Sequence, residues 1–291
     1  MKTETIFFSS RLYSCSKYKK AAERLFAKLD EYEIEYELVE NTSDIWMRDY
    51  MPISIDRGKT KYVSFRYDPW YLDSYPKQKT NFKDDISSRI ETPILIYSSI
   101  NLDGGNVVFS PSKERVIISD RIYIENKCKT DNEKTELVKE LEELLEAEVI
   151  IIPAFQKKAD MTGHSDGMVR FIDEKIVFGN DIDGKHERKI ESILISHGIK
   201  VVGFPYFEAK HKGSAVGCYI NFLETEKYIF LPEFFGIDYE DDDTKRMDDK
   251  ALKQAQGRFE NRPEKSKKVV QVNINEIAKE GGVLNCISWE Q

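Results

Sequence analysis

The sequence predicts an α/β protein built from five similar units, and two observations carry this prediction. Strand-like and helical segments follow one another in the order strand, strand, helix, strand, several times along the chain. Polar turns recur at Asp49, Asp103, His164, 217–221 and Cys286, separated by about 54, 61, 55 and 67 residues. Each turn lies at the edge of a predicted strand. Five units arranged around an axis would therefore bring these turns together.

The first half of the chain has two strong helical signals. Residues 16–32 place apolar side chains on one helical face, with Ser16 as the predicted N-cap. Residues 131–146 form a second amphipathic pattern, and residues 84–90 give a weaker one. Strands are predicted at 5–9, 36–39, 60–65, 94–97, 107–109, 115–119 and 149–152.

The second half repeats this order. A helix is predicted at 186–197 and should end at Gly198, which suits the left-handed position after a helix. Residues 244–259 predict a polar helix, and the acidic run before them is a solvated loop or a helix start. Strands are predicted at 169–172, 175–178, 201–204, 218–223, 228–231, 269–272 and 283–288, with a short helix at 274–279. No Pro/Gly/Ser linker divides the chain, so residues 1–291 are expected to form a single catalytic domain.

Composition excludes several classes of function. The 291 residues carry a net charge of −8, which disfavours nucleic acid as a partner. The charge favours small cationic ligands by steering, and it also serves solubility, which is the simpler explanation. No apolar run is long enough to span a membrane, and no signal peptide is recognisable. The four cysteines are widely spaced, so neither a zinc finger nor a disulfide framework is indicated. We expect a reducing, cytoplasmic setting and leave a homodimer open.

Four short segments combine a reactive or charged side chain with a turn. They are Trp46-Met47-Arg48-Asp49, Asp103-Gly104-Gly105-Asn106, Gly163-His164-Ser165-Asp166-Gly167 and Gly281-Gly282-Val283-Leu284-Asn285-Cys286. Each alone has a plain structural explanation, such as an ion pair, an ordinary glycine turn or a buried cysteine. Their common order and spacing are harder to explain by turn formation alone.

Together the four segments resemble the agmatine deiminase branch of the guanidine-modifying, or pentein, superfamily, which is grouped with bacterial-type peptidylarginine deiminases. That family carries W-x-R-D, an acidic residue before Gly-Gly, G-H-x-D and a C-terminal Cys after glycines, in this order. The resemblance covers nearly the whole chain and implies a five-bladed α/β propeller with its site on the central axis. Two positions depart from the family: Asp103 stands where many relatives have Glu, and Met51 where many have Gly.

Chemical reasoning assigns roles to these residues independently. A guanidinium ion is planar and always charged, and paired carboxylates recognise it best, so Asp49 and Asp166 are predicted to bind it. Its carbon is a poor electrophile, which calls for a thiolate nucleophile, Cys286. The bound cation would itself favour the thiolate.

The remaining roles concern proton transfer and packing. His164 is predicted to protonate the leaving ammonia and then to activate water, while Asp103 orients its imidazole. Trp46 is a candidate apolar wall beside the substrate, and Arg48 is interpreted as structural. Water and ammonia suffice as co-substrate and product, so no metal or organic cofactor is expected.

The sequence therefore favours a deiminase that converts agmatine to N-carbamoylputrescine, a step toward putrescine. Deimination of peptidyl-arginine or free arginine, and amidino transfer to an amine, remain alternatives within the same chemistry. A metal hydrolase using His164 and Asp166 is an alternative of another class, but it lacks a second ligand cluster in the sequence. A non-catalytic binding protein is disfavoured, because all the candidate catalytic residues are present.

Overall fold

The computed structural model describes residues 4–88, 90–155, 162–236, 238–261 and 266–291. The strands in these ranges are β1 (Ile6–Ser9), β2 (Tyr36–Val39), β3 (Ile53–Ser54), β4 (Lys61–Arg66), β5 (Ile94–Asn101), β6 (Val108–Phe109), β7 (Arg115–Ser119), β8 (Glu148–Ile152), β9 (Val169–Asp173), β10 (Ile176–Asn180), β11 (Lys200–Phe204), β12 (Leu223–Glu224), β13 (Tyr228–Glu233), β14 (Lys268–Asn273) and β15 (Ser288–Glu290). They form five sheets of three strands each.

All five sheets share one pairing pattern. In the unit β3–β4–β5, the first pair is antiparallel and the second pair is parallel. The units β6–β8, β9–β11 and β12–β14 repeat this arrangement. The remaining sheet joins both ends of the chain, because β15 pairs antiparallel with β1, which pairs parallel with β2. The predicted five-unit α/β fold is confirmed.

Helices connect the second and third strands of most units. They are α1 (Arg11–Ser14), α2 (Ser16–Glu31), α3 (Met47–Tyr50), α4 (Arg121–Glu125), α5 (Asp131–Leu145), α6 (Lys185–Ser196), α7 (Asp242–Phe259) and α8 (Asn275–Ala278). Four units have a connecting helix of 12 to 18 residues, namely α2, α5, α6 and α7. Between β4 and β5 the described residues form short turns instead. The helix predicted at 84–90 is reduced to the π-helical turn Phe82–Ile86. Residue 89 of the predicted range lies outside the described residues.

Local signals explain the helices that were predicted well. A capping box between Thr130 and Glu133 begins α5, whose face toward the sheet buries Leu137, Leu141 and Leu145. Gly198 follows α6 with a φ of +70°, as its position after the helix requires. The N-cap of α2 was predicted wrongly: Ser16 is the first helical residue, and the preceding Cys15 makes no side-chain cap.

The apolar core lies between the helices and the five sheets. One large buried cluster joins α2 and α7 to the sheets of the first and last units, and includes Phe26, Phe230 and Ala255. Smaller clusters lie under α5 and α6, around Leu141 and Leu194. The core therefore surrounds the axis and leaves the connections between units free to form a site.

Two predicted strands are wrong, and both lie in these connections. Residues 218–223 and 283–288 form turns; apart from an isolated bridge between Cys218 and Tyr206, strand pairing begins at Leu223 and at Ser288. Both segments are apolar and buried, and burial without alternation does not distinguish a strand from a packed turn. Their backbones instead bond across to one another, with the Asn285 N–H donating to the Asn221 carbonyl at 3.2 Å.

Candidate active site

The candidate site forms in the connections between consecutive units. Each of the five connections contributes polar side chains: Asp49 between β2 and β3, Asp103 between β5 and β6, His164 and Asp166 between β8 and β9, Asn221 between β11 and β12, and Cys286 between β14 and β15. All of them except Asp103 line one cavity of about 490 Å³. The meeting of the five turns, predicted from their spacing, is thus observed.

His164 is held by the carboxylate behind it. Its Nε2 lies 2.9 Å from Oδ2 of Asp103, and both side chains are buried. The Tyr71 hydroxyl donates to the same carboxylate oxygen at 2.8 Å. Asp103 therefore reaches His164 although its arm is one methylene shorter than that of glutamate. The pair fixes the imidazole plane, as an orienting carboxylate does in a catalytic triad.

Asp49 approaches the other nitrogen of the same imidazole. Its Oδ1 lies 3.6 Å from Nδ1 of His164 and accepts a hydrogen bond from the Gly105 backbone N–H at 3.0 Å. A Cβ on Gly105 would lie 2.6 Å from Asp49 Oδ1 and 2.7 Å from His164 Nδ1. Glycine is required here because the backbone passes close to both the Asp49 and the His164 side chains.

Cys286 lies beside the second candidate carboxylate. Its Sγ is 3.7 Å from Oδ2 of Asp166 and 3.3 Å from Oδ1 of Asn221. The Cys286 backbone N–H donates to the same Asn221 oxygen at 3.2 Å. Asn221 therefore fixes both the backbone and the thiol of this residue, a role that the sequence did not reveal.

Asp166 is positioned by an amide adjacent to the cysteine. The Asn285 side-chain amide donates to Oδ2 of Asp166 at 2.7 Å, and its carbonyl accepts from Arg170 at 2.9 Å. The Asp166 carboxylate is buried, with 3% of its surface exposed. Its orientation is thus tied to the same loop that carries Cys286, so carboxylate and thiol keep a fixed relation.

Burial and mutual charge set the protonation of the site. Burial raises the pKa of Asp49; His164 opposes this shift, while Asp103 and Asp166 add to it. Burial alone would lower the pKa of His164, but Asp49 and the hydrogen-bonded Asp103 raise it well above its ordinary value. An imidazolium flanked by carboxylates is the arrangement that a general acid needs at neutral pH.

The surroundings of the Cys286 thiol disfavour its ionised form. Burial raises the pKa of Cys286 well above its ordinary value, and the charges of Asp166 and Asp49 raise it further. A cation bound between these carboxylates would cancel their effect on the thiol. The two carboxylates therefore oppose a thiolate at Cys286 as long as their own charge is not offset.

Arg48 and Trp46 support the site from the same short segment. The Arg48 guanidinium forms an ion pair with Glu290 at 2.5 Å, and its backbone N–H donates to the Cys286 carbonyl at 3.1 Å. Trp46 lines the cavity, and its ring packs so closely on Gly282 that a Cβ there would lie 2.3 Å from Cζ3. The contacts of Arg48 fit its interpretation as structural, and Trp46 forms an apolar wall.

Among the described residues, no three His, Cys, Asp or Glu side chains are grouped so that they could hold a metal ion. Within that part of the chain, no helix has the length and apolarity needed to cross a bilayer.

Comparison with known proteins decides the family. The model of the Porphyromonas-type peptidyl-arginine deiminase family matches residues 9–291. The chain belongs to this family. No curated protein matches the chain in sequence. The family match supports an enzyme acting on guanidino C–N bonds and agrees with the four motifs identified above.

Solved structures share the fold of this family member at low sequence identity. Substrate-bound agmatine deiminase of C. jejuni, carrying a C315S substitution, is 16% identical with a TM-score of 0.68, and the match covers 99% of this chain and 93% of that chain. Agmatine deiminase of Enterococcus faecalis has the same identity, TM-score and coverage. A Porphyromonas gingivalis protein provisionally named an arginine deiminase is 17% identical, with 99% and 95% coverage and a TM-score of 0.70.

Proposed function

We propose that the protein is a hydrolase that releases ammonia from a guanidine group through a covalent intermediate on Cys286. One observation carries this proposal. A thiol, an imidazole and two buried carboxyl groups meet at one cavity, with Cys286 beside Asp166 and His164 beside Asp49. Carboxylates flanking a nucleophile suit a planar cation, which is the charge and shape of a guanidinium.

The first half of the proposed reaction forms the intermediate. The guanidinium binds between Asp49 and Asp166, and the added positive charge lets Cys286 release its proton to solvent. The thiolate attacks the guanidinium carbon and forms a carbon–sulfur bond. His164, protonated in the resting site, then gives a proton to the departing nitrogen, so that ammonia leaves and an amidino–sulfur intermediate remains.

The second half consumes water. The now neutral His164 takes a proton from a water molecule, whose oxygen attacks the amidino carbon. As the carbon–sulfur bond breaks, the new hydroxyl on the amidino carbon gives up its proton, the thiolate takes up that proton, and a ureido product remains. Asp103 holds the imidazole through both proton transfers. The sequence of steps returns every catalytic group to its starting protonation state.

Among guanidines we favour agmatine, which would give N-carbamoylputrescine on the way to putrescine. The cavity lined by Trp46 suits a small molecule with an alkyl chain. Peptidyl-arginine, free arginine and amidino transfer are the competing outcomes. The four cysteines, all of them within the described ranges, form no disulfide.

Ammonia release tests the proposal directly. The protein is assayed with agmatine, free arginine, a peptidyl-arginine and dimethylarginine, and we expect turnover of agmatine at the highest rate. Cys286→Ala should lower turnover at least about 10³-fold, because the covalent route is lost. Cys128→Ala, which changes a cysteine outside the cavity, serves as the matched control. Turnover of none of the four compounds, or unchanged turnover in Cys286→Ala, contradicts the proposal.

A further inference from the structure

The connection between β4 and β5 contributes a side chain to the catalytic groups. Its described residues form short helical turns, whereas the other four units have a connecting helix of 12 to 18 residues. The turn Trp70–Leu72 lies at the site, where Tyr71 and Leu72 line the cavity. The Tyr71 hydroxyl donates to Oδ2 of Asp103 at 2.8 Å. In this unit, the connection therefore reaches the active site as well as joining two strands.

Hydrogen bonds to the end of β5 fix the turn that carries Tyr71. The side chain of Asn101 accepts from the Asp68 backbone N–H and donates to the Asp68 carbonyl, both at 2.8 Å. Asn101 is two positions before Asp103, so the same end of β5 holds both the turn and the carboxylate. The contact between Tyr71 and Asp103 is therefore fixed by the fold.

Two donors share one oxygen of Asp103. Its Oδ2 lies 2.9 Å from Nε2 of His164 and 2.8 Å from the Tyr71 hydroxyl. Burial raises the pKa of Tyr71 well above its ordinary value, and the charges of Asp103, Tyr67 and Asp49 raise it further. The hydroxyl therefore stays protonated and remains a donor. A carboxylate that already accepts one hydrogen bond attracts a second proton less strongly, because that bond stabilises its charged form.

The proposed reaction needs the proton of His164 to leave and to return. Burial alone would lower the pKa of His164, but Asp49 and Asp103 raise it to about 10, and Asp166 adds to this effect. Cys286 is a further ionisable group in the same cavity. Each further increase in the pKa of His164 makes its imidazolium a weaker acid toward the departing nitrogen. A second donor on Asp103 opposes such an increase.

We propose that Tyr71 is a positioning residue that shares Oδ2 of Asp103 with His164 and thereby weakens the hold of this carboxylate on the imidazole proton. This inference rests on the proposed function and adds a residue that tunes the general acid. Tyr71 acts through Asp103 and not on the reacting atoms. Its ring lies edge-on to the imidazole, with the two centroids 6.4 Å apart, so the whole assembly is held at one place.

Tyr71→Phe tests the inference, because it removes the hydroxyl and keeps the ring. The chain has four histidines, so the ring nitrogens of His164 can be followed through their titration by nitrogen-15 NMR, without any turnover. We expect the pKa of His164 to rise by about 0.5 to 1, as for loss of one hydrogen bond to the carboxylate. If Tyr71 only packs, this pKa stays unmoved, and if it only aligns the pair, the pKa falls. Either result overturns the inference.

A replacement that strengthens the contact gives the opposite expectation. With 3-fluorotyrosine in place of Tyr71, the more acidic phenol donates a stronger hydrogen bond, and the pKa of His164 should fall below the wild-type value. An unmoved or raised value contradicts the inference even if Tyr71→Phe fails to fold. Tyr219→Phe is the matched control, because the Tyr219 hydroxyl donates to buried Asp248 at 2.6 Å outside the cavity. In this control the pKa of His164 should stay at the wild-type value, and an equal shift there counts against a specific role of Tyr71.

Ammonia release connects this pKa to the reaction. In Tyr71→Phe, the alkaline limb of the pH–rate profile should move to higher pH by as much as the pKa of His164 rises, because a general acid is active below its pKa. A limb that stays in place although this pKa has risen overturns the role of Tyr71 in the reaction. If wild type releases ammonia from none of the four compounds, the proposed function fails, and the NMR titration still decides whether Tyr71 tunes His164.

Discussion

Replacing Glu290 with glutamine should destabilise the protein, because it leaves the Arg48 guanidinium partly buried without a counter-ion. The two side chains lie at 2.5 Å, with relative exposures of 17% for Arg48 and 31% for Glu290. Burial alone would raise the pKa of Glu290, but Arg48 overrides this and lowers it from 4.5 to about 2. At about 1.4 kcal/mol per pKa unit, this lowering of the Glu290 pKa amounts to roughly 3 kcal/mol of folding stability.

The sign of this effect defines its dependence on pH. The folded-state pKa of Glu290 is lower than the unfolded one, so the stabilisation is complete above pH 4.5 and is lost as the pH falls toward 2. The gap in unfolding free energy between wild type and Glu290→Gln should therefore be roughly 3 kcal/mol at pH 7 and close as the pH falls through that window.

Urea denaturation followed by tryptophan fluorescence measures this gap across the pH range. Glu136→Gln is the matched control, because Glu136 pairs with Lys139 on the surface and both side chains are about 60% exposed; its unfolding free energy should stay close to that of wild type. A gap below about 0.5 kcal/mol at pH 7, within the scatter of ordinary surface substitutions, would refute the reasoning. So would a gap that persists unchanged at low pH.

Two further predictions concern the catalytic groups. Asp103→Asn removes the charged hydrogen-bond partner of His164. The pKa of His164 should therefore fall, and kcat should drop about 10- to 150-fold. A general acid is active below its pKa and inactive above it, and the pKa of His164 is raised in the wild type. In Asp103→Asn, the alkaline limb of the pH–rate profile for ammonia release should therefore move to lower pH. An unmoved limb contradicts the assignment of His164 as the general acid. Gly105→Ala should lower turnover at least about tenfold, since its Cβ would displace Asp49 and His164. Gly257→Ala, with open space around its Cβ, is the control, and equal turnover in the two variants would show that the close approach is unimportant.

Much of the fold was predictable because its signals are local. The helix α5 begins with its own capping box and repeats leucine at helical spacing, so the sequence alone determined its limits to within one residue. The two wrongly predicted strands, at 218–223 and 283–288, have no such local signal. Their buried apolar runs are equally compatible with strand and turn, and only contact between the two segments selects the turn.

By itself, the sequence determined the order of the five units and indicated candidate residues for the site, because reactive side chains beside glycines are visible along the chain. Tertiary structure decided which groups hold them. Asn221 contacts Cys286 across 65 positions, Asn285 contacts Asp166 across 119, and Arg48 contacts Glu290 across 242. Such pairs leave no periodicity and no local motif, since their residues become neighbours only when five units close around one axis.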